Sequence, residues 1–209
     1  QGDWSSDVCS SDLLENGERI EGESRIGKAT SPIVRLGCTP DRPPALPRAL
    51  EAIAHADLIV LGPGSLYTSL LPNLLVPELV SAIARSRAPR LYVCNLMTQP
   101  GETDGLDVSG HLRAIEAQLA SLGVEQRLFD CVLAQEPLDD SNNTLIQTYR
   151  LRGAEPVTCD ARSLRSQGYD VMLAPLQGAR PGTTLRHDPR SVALAVMRFY
   201  KRQRRAKAQ

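Results

Sequence analysis

The chain's 209 residues suit one domain, or most of one. Its 24 Lys and Arg balance its 24 Asp and Glu, so it lacks the basic surface that nucleic acid needs. No apolar run is long enough to span a bilayer and the cysteines form no Cys-x-x-Cys pair, which argues against stable membrane insertion, a zinc site and a disulfide framework.

In chain order, the first stretch stands apart. Asp3 to Leu13, Asp-Trp-Ser-Ser-Asp-Val-Cys-Ser-Ser-Asp-Leu, matches an in-frame translation of a common sequencing-adapter oligonucleotide. Residues 1–13 are therefore set aside as non-native, with native sequence expected from about Leu14 and the coding sequence upstream expected to be missing. Without them the remainder carries +3, and five of its cations lie in the basic tail of residues 201–209. Cations there suit the carboxyl end of a solvated helix. The four remaining cysteines, Cys38, Cys94, Cys131 and Cys159, lie far apart, which fits a reducing cytoplasm.

Leu14 to Ile20 carries Asn16-Gly17, a hairpin signal between two short strands. Ile33 to Leu36 reads as another strand, and Gly37 to Pro44, with three prolines, as a loop. From there helices and strands alternate. Leu46 to Ala56 has helical spacing, and Leu58 to Leu61 is a short apolar run that reads as a parallel strand buried on both faces. Pro77 to Ser86 is a helix, Leu91 to Cys94 a strand, and Asp107 to Leu122 a helix capped by Asp107 and ended by Gly123. Cys131 to Leu133, Val157 to Cys159 and Val171 to Leu173 are three further strands. A last helix starts at Asp188-Pro189, with an apolar stripe of Val192, Ala195, Val196 and Phe199. This alternation predicts an α/β, Rossmann-like three-layer fold around a mostly parallel sheet over residues 14–200, incomplete at its amino-terminal side.

Loops that follow strands should share one edge of the sheet, where α/β proteins bind ligands. The first is Gly62-Pro63-Gly64-Ser65, followed by Tyr67 and Thr68. Its glycines let backbone approach a ligand, and its amides and hydroxyls suit a phosphate. It is neither a Walker A loop nor a Gly-x-Gly-x-x-Gly fingerprint, and a plain turn is the competing reading. The second runs from Asn95 to Gly105. Asn95 and Thr98 offer hydrogen bonds to a base or sugar, with Gln99 beside them. Glu102, Asp104 and Asp107 are either ligands for a divalent ion or turn and cap residues. The polar loop from Gln135 to Asn143 has no diagnostic pattern. His55, His111 and His187 share no metal-ligand spacing, and Ser65 is not in a Gly-x-Ser-x-Gly elbow. Arg186-His187-Asp188 offers an Arg for a diphosphate, or a helix cap with a surface Arg.

The run from Ala56 to Leu75 and the run from Tyr92 to Thr103 together resemble the gluconeogenesis factor (YvcK) branch of the CofD-like family, with support from Leu14 to Glu18 and Glu21 to Ser24. The resemblance covers nearly all of the chain beyond Leu14. It implies a cytoplasmic regulatory protein that binds UDP-sugars, notably UDP-N-acetylglucosamine, and supports cell shape and wall synthesis during gluconeogenic growth. It carries ligand contacts onto Gly62 to Ser65, and with less support onto Tyr149 for stacking and Arg186 for phosphate. It assigns no catalytic residue and no certain cofactor, and leaves a homo-oligomer open. The other branch implies a 2-phospho-L-lactate transferase of coenzyme F420 synthesis. There Mg²⁺ would be the cofactor, with Glu102 and Asp104 as secondary candidates to hold it. The family's opening Gly-Gly-Gly-Thr-Gly and Asp-Asp-Gly-Gly-Ser loops have no counterpart here. On that ground the chain reads as a fragment that is poorly stable and binds nucleotide weakly or not at all by itself.

Overall fold

The computed structural model describes residues 9–21, 31, 33–138, 143–178 and 184–207. Three strands, β1 (Cys9–Leu14), β2 (Arg19–Glu21) and β3 (Ile33–Thr39), form an antiparallel sheet in the order β2-β1-β3. The Asn16-Gly17 turn joins β1 to β2. Gly17 sits at φ 84°, and Asn16 Oδ1 accepts from Glu18 N at 3.0 Å. Leu14, Ile20, Ile33 and Leu36 are buried and anchor this sheet on the main core.

Two expectations change here. Cys9 to Leu13, set aside above as non-native and left out of the fold reading, lies in β1 and pairs with β3 from Cys9↔Thr39 to Leu13↔Arg35. A ladder is made of backbone groups, so polar composition does not prevent it. The strand at Ile33 also runs on through Thr39, and the loop begins only at Pro40, which cannot donate to the ladder.

The second sheet holds β4 (Ile59–Leu61), β5 (Arg90–Val93), β6 (Cys131–Gln135) and β7 (Asp170–Ala174), all parallel and in sequential order. Helices α1 (Pro47–Ala54), α2 (Pro77–Arg85), α3 (Val108–Ser121), α4 (Thr144–Arg150), α5 (Ala161–Ser166) and α6 (Pro189–Lys207) lie between and beyond them. Alternation in the strands separates two cores. Tyr92, Cys94, Val132 and Ala134 face one side, with Leu112, Ile115 and Leu119 of α3 and the small antiparallel sheet. Leu91, Val93, Cys131 and Leu133 face the other, with Ala195 and Phe199 of α6. Burying each Val, Leu, Ile or Phe among them stabilises by roughly 1.5–3 kcal/mol. The sheet is therefore sandwiched, as the alternating pattern predicts.

Three readings of single elements need correction. The Leu58 to Leu61 run is parallel but is not covered on both faces. β4 closes one end of the sheet, and Val60 is 40% exposed. The doubly buried strands are β5 and β6, because they hold the central positions. Val157 to Cys159 forms no strand. Pro156 makes an isolated bridge with Met97, and the place beside β6 belongs to β7. After Ser65 the chain forms a π-helical turn (Leu66–Leu70) and a 3₁₀ turn (Leu71–Leu75), which carry Leu66, Tyr67, Leu70, Leu71, Leu74 and Leu75 into the core.

Helix α3 follows its sequence signals. Asp107 Oδ1 accepts from Gly110 N at 2.7 Å, and Gly123 follows at φ 78°. Helices α4 and α5 were not foreseen. Each starts at an Asx cap, Asn143 or Asp160, but spans only two turns, too short to show a periodic stripe. Among the described residues, no single helix is long and apolar enough to cross a membrane.

Candidate functional site

The carboxyl ends of β4 and β5 bring two loops together. Gly62 leaves β4 at φ 89°, where a Cβ would sit 2.5 Å from the Val93 carbonyl oxygen. Its glycine is therefore required by the close pass over β5. Gly64 N donates to Asn95 Oδ1 at 3.3 Å, and Asn95 Nδ2 donates to Gln99 Oε1 at 3.4 Å. Gln99 Nε2 then donates to Ser65 Oγ at 2.9 Å. These three bonds tie the loops into one wall.

A second wall comes from α4 and the segment before α6. Tyr149 Oη accepts from Leu185 N at 3.0 Å. His187 Nε2 lies 3.1 Å from the Cys94 carbonyl oxygen, which only accepts, so this nitrogen carries the proton. Burial pushes the His187 imidazole below its ordinary value, which favours the neutral ring. Between the walls lies a cleft of about 760 Å³, bordered by Pro63, Gly64, Ser65, Asn95, Leu96, Met97, Thr98, Gln99, Tyr149, Leu185, Arg186 and His187. Among the described residues of this lining Arg186 is the one cationic side chain, and no carboxylate joins it. An exposed guanidinium beside neutral polar groups suits an anionic ligand, since nothing in the lining competes for it.

The sequence candidates divide. Pro63, Gly64, Ser65, Asn95, Thr98, Tyr149 and Arg186 all meet at this cleft, although they come from four separate parts of the chain. Tyr67 does not. It is buried, and its hydroxyl donates to the Ile33 carbonyl oxygen at 3.2 Å, because the π-helical turn directs it inward. Thr68 lies on the same turn and outside the lining. The expected cradle of free amides is also reduced. Pro63 has no N–H, and the Gly64 N–H is engaged by Asn95. The polar atoms of Asn95 and Thr98 mainly hold loops together. Thr98 is buried, and its Oγ1 accepts from Glu155 N at 2.8 Å.

Asp104 Oδ2 accepts from Gly101 N at 2.7 Å and so shapes a turn, while Asp107 caps α3. Among the described residues no group of three or more His, Cys, Asp or Glu is arranged to hold a metal ion. The thiols take no part either. Cys94 and Cys131 are fully buried, and burial pushes each up to about 12. Residues 139–142 of the polar loop after β6 lie outside the described residues. His187, Met97 and Leu185 were missed as lining residues. The only local signal was the polar triplet around His187, and its place depends on a bridge to Gln177 and on its bond to the Cys94 carbonyl oxygen, 93 positions away.

Comparison with known proteins adds to this geometry. The family model described as 2-phospho-L-lactate transferase CofD matches residues 6–177. A putative gluconeogenesis factor of Nostoc sp. is 46% identical over 90% of the chain and 40% of its own length. The gluconeogenesis factor of Bacillus subtilis is 33% identical over 90% of the chain and 57% of its own length. A crystal structure from the UPF0052 family, from Bacillus halodurans, superposes with a TM-score of 0.80 at 40% identity, covering 91% of this chain and 58% of that one. The chain thus spans about half the length of the relatives it matches.

Proposed function

Because this chain belongs to the CofD-like family, in the branch of the gluconeogenesis factors, we propose that it contributes one wall of a UDP-sugar site. On this reading the protein is a cytoplasmic regulator that binds UDP-N-acetylglucosamine and supports cell shape and wall synthesis during gluconeogenic growth. The observation that supports it is the charge pattern of the cleft among the described residues: one guanidinium, Arg186, among neutral donors and acceptors, with no carboxylate beside it. A UDP-sugar's diphosphate pairs with Arg186, and a ring lies against Tyr149. Binding and orientation need no general base, and the neutral His187 keeps its Nε2 proton on the Cys94 carbonyl oxygen.

The test is a chimera in which this chain replaces the matching region of the Bacillus subtilis relative. Calorimetry with UDP-N-acetylglucosamine is expected to show one saturable site, and Arg186→Gln to weaken it at least about tenfold. Undiminished binding by the Arg186→Gln chimera sinks the reading.

The second reading, a phospholactate transferase, is favoured by the description of the matching family model. Among the described residues Asp104 Oδ2 accepts from Gly101 N, and no group of three or more His, Cys, Asp or Glu is arranged to hold the Mg²⁺ it implies. Transfer of phospholactate to the deazaflavin Fo by the same chimera would favour this reading over the first.

A further inference from the structure

We propose that the opposite edge of the parallel sheet carries a second anion site, built from Arg87, Arg204 and Lys207, that takes a phosphorylated small molecule. A cavity of about 430 Å³ lies there, within the size range of small-molecule sites. Its lining comes from three places: Ala56 and Asp57 before β4, Arg87 to Pro89 before β5, and Tyr200, Gln203, Arg204 and Lys207 on the last turns of α6. These residues precede the strands, whereas the candidate cleft follows them. β5 alone separates the two by roughly 13 Å, so one ligand does not fill both.

The cavity is partly preorganised. Lys207 Nζ donates to the Arg87 carbonyl oxygen at 2.6 Å, which clamps the end of α6 on the loop before β5. Arg204 lies over the Tyr200 ring, 5.9 Å from its centroid. Asp57 is the one carboxylate of the lining, against three cations. Cations at the end of α6 suit the helix dipole whatever they face. That argument does not reach Arg87, which comes from a different element and borders the same cavity. Three cations against one carboxylate leave the cavity net positive, which raises the local concentration of anions. Arg190, Arg198, Lys201, Arg202 and Arg205 of α6 stay outside the lining, and Arg202 pairs with Asp170.

Calorimetry of the 209-residue chain with inorganic pyrophosphate at low ionic strength tests this site. One saturable site is expected in the Arg186→Gln background, where the candidate cleft has lost its cation, and it weakens as salt is added. Arg204→Gln and Arg87→Gln are each expected to lower the affinity about tenfold. Arg205→Gln is expected to leave it unchanged. Absence of saturable binding overturns the proposal, as does equal weakening by Arg205→Gln, which would mean diffuse attraction to the helix. Loss of binding in Arg186→Gln overturns it too, because the anion then sits in the candidate cleft. The proposal is independent of the UDP-sugar reading, which stands or falls with Arg186.

Discussion

Gly62 illustrates how one residue serves the site without touching a ligand. Its φ of 89° and the 2.5 Å that would separate a Cβ from the Val93 carbonyl oxygen leave room only for glycine. Gly62→Ala should cost about 2–4 kcal/mol, read as a lower urea midpoint with an unchanged slope. Gly64 has more latitude, since its Cβ would meet the flexible Leu70 side chain at 3.3 Å. Residue types showed that Gly62 to Ser65, Asn95 and Thr98 belong to special loops. They did not show how the polar atoms are spent. Asn95 accepts from Gly64 N, and Thr98 accepts from Glu155 N, so both act chiefly as fasteners. Which acceptor meets which donor is a long-range matter: Thr98 and Glu155 are 57 positions apart.

The elements that matter most here are the loops, and they are held by a few cross-links. Thr98 N donates to the Glu155 carbonyl oxygen at 2.7 Å, and Glu155 N returns a bond to Thr98 Oγ1 at 2.8 Å. Val157 N donates to the Leu96 carbonyl oxygen at 2.9 Å. This seam separates the candidate cleft from a neighbouring cavity of about 450 Å³, and Leu96 and Thr98 border both. Thr98→Val keeps the volume and removes one acceptor. It should cost about 1 kcal/mol by urea unfolding, with faster amide exchange at Glu155 as the local sign. Long helices were legible beforehand, since α3 and α6 repeat their apolar residues over several turns. Short ones were not. Val157 to Cys159 has the composition of a strand, yet it became the far side of this seam, and β7 holds the place beside β6.

At the scale of the whole molecule, the two cores on either side of the sheet enclose a titration. His111 is fully buried, and its Nδ1 lies 2.9 Å from the Asp107 carbonyl oxygen. Burial lowers both His111 and His187 from their ordinary value of 6.5. The unfolded chain then binds more protons than the folded one just below that pH. Stability should therefore be full above about pH 6.5 and fall as pH drops through it. Unfolding followed by circular dichroism across this range checks the sign. His111→Asn keeps a donor near Nδ1 and should make the acid loss shallower. Periodicity and turn chemistry alone determined the α/β class, the hairpin at Asn16-Gly17, the parallel strands and the capped helix after Asp107, because each signal is local and repeats within a few residues. Only the tertiary structure decided that β4 lies at a sheet edge, that Tyr67 turns inward, and that Tyr149, Arg186 and His187 meet the Gly62 loop. Those outcomes depend on which surfaces compete for the same neighbour, and contacts between distant segments leave no periodic mark in the chain.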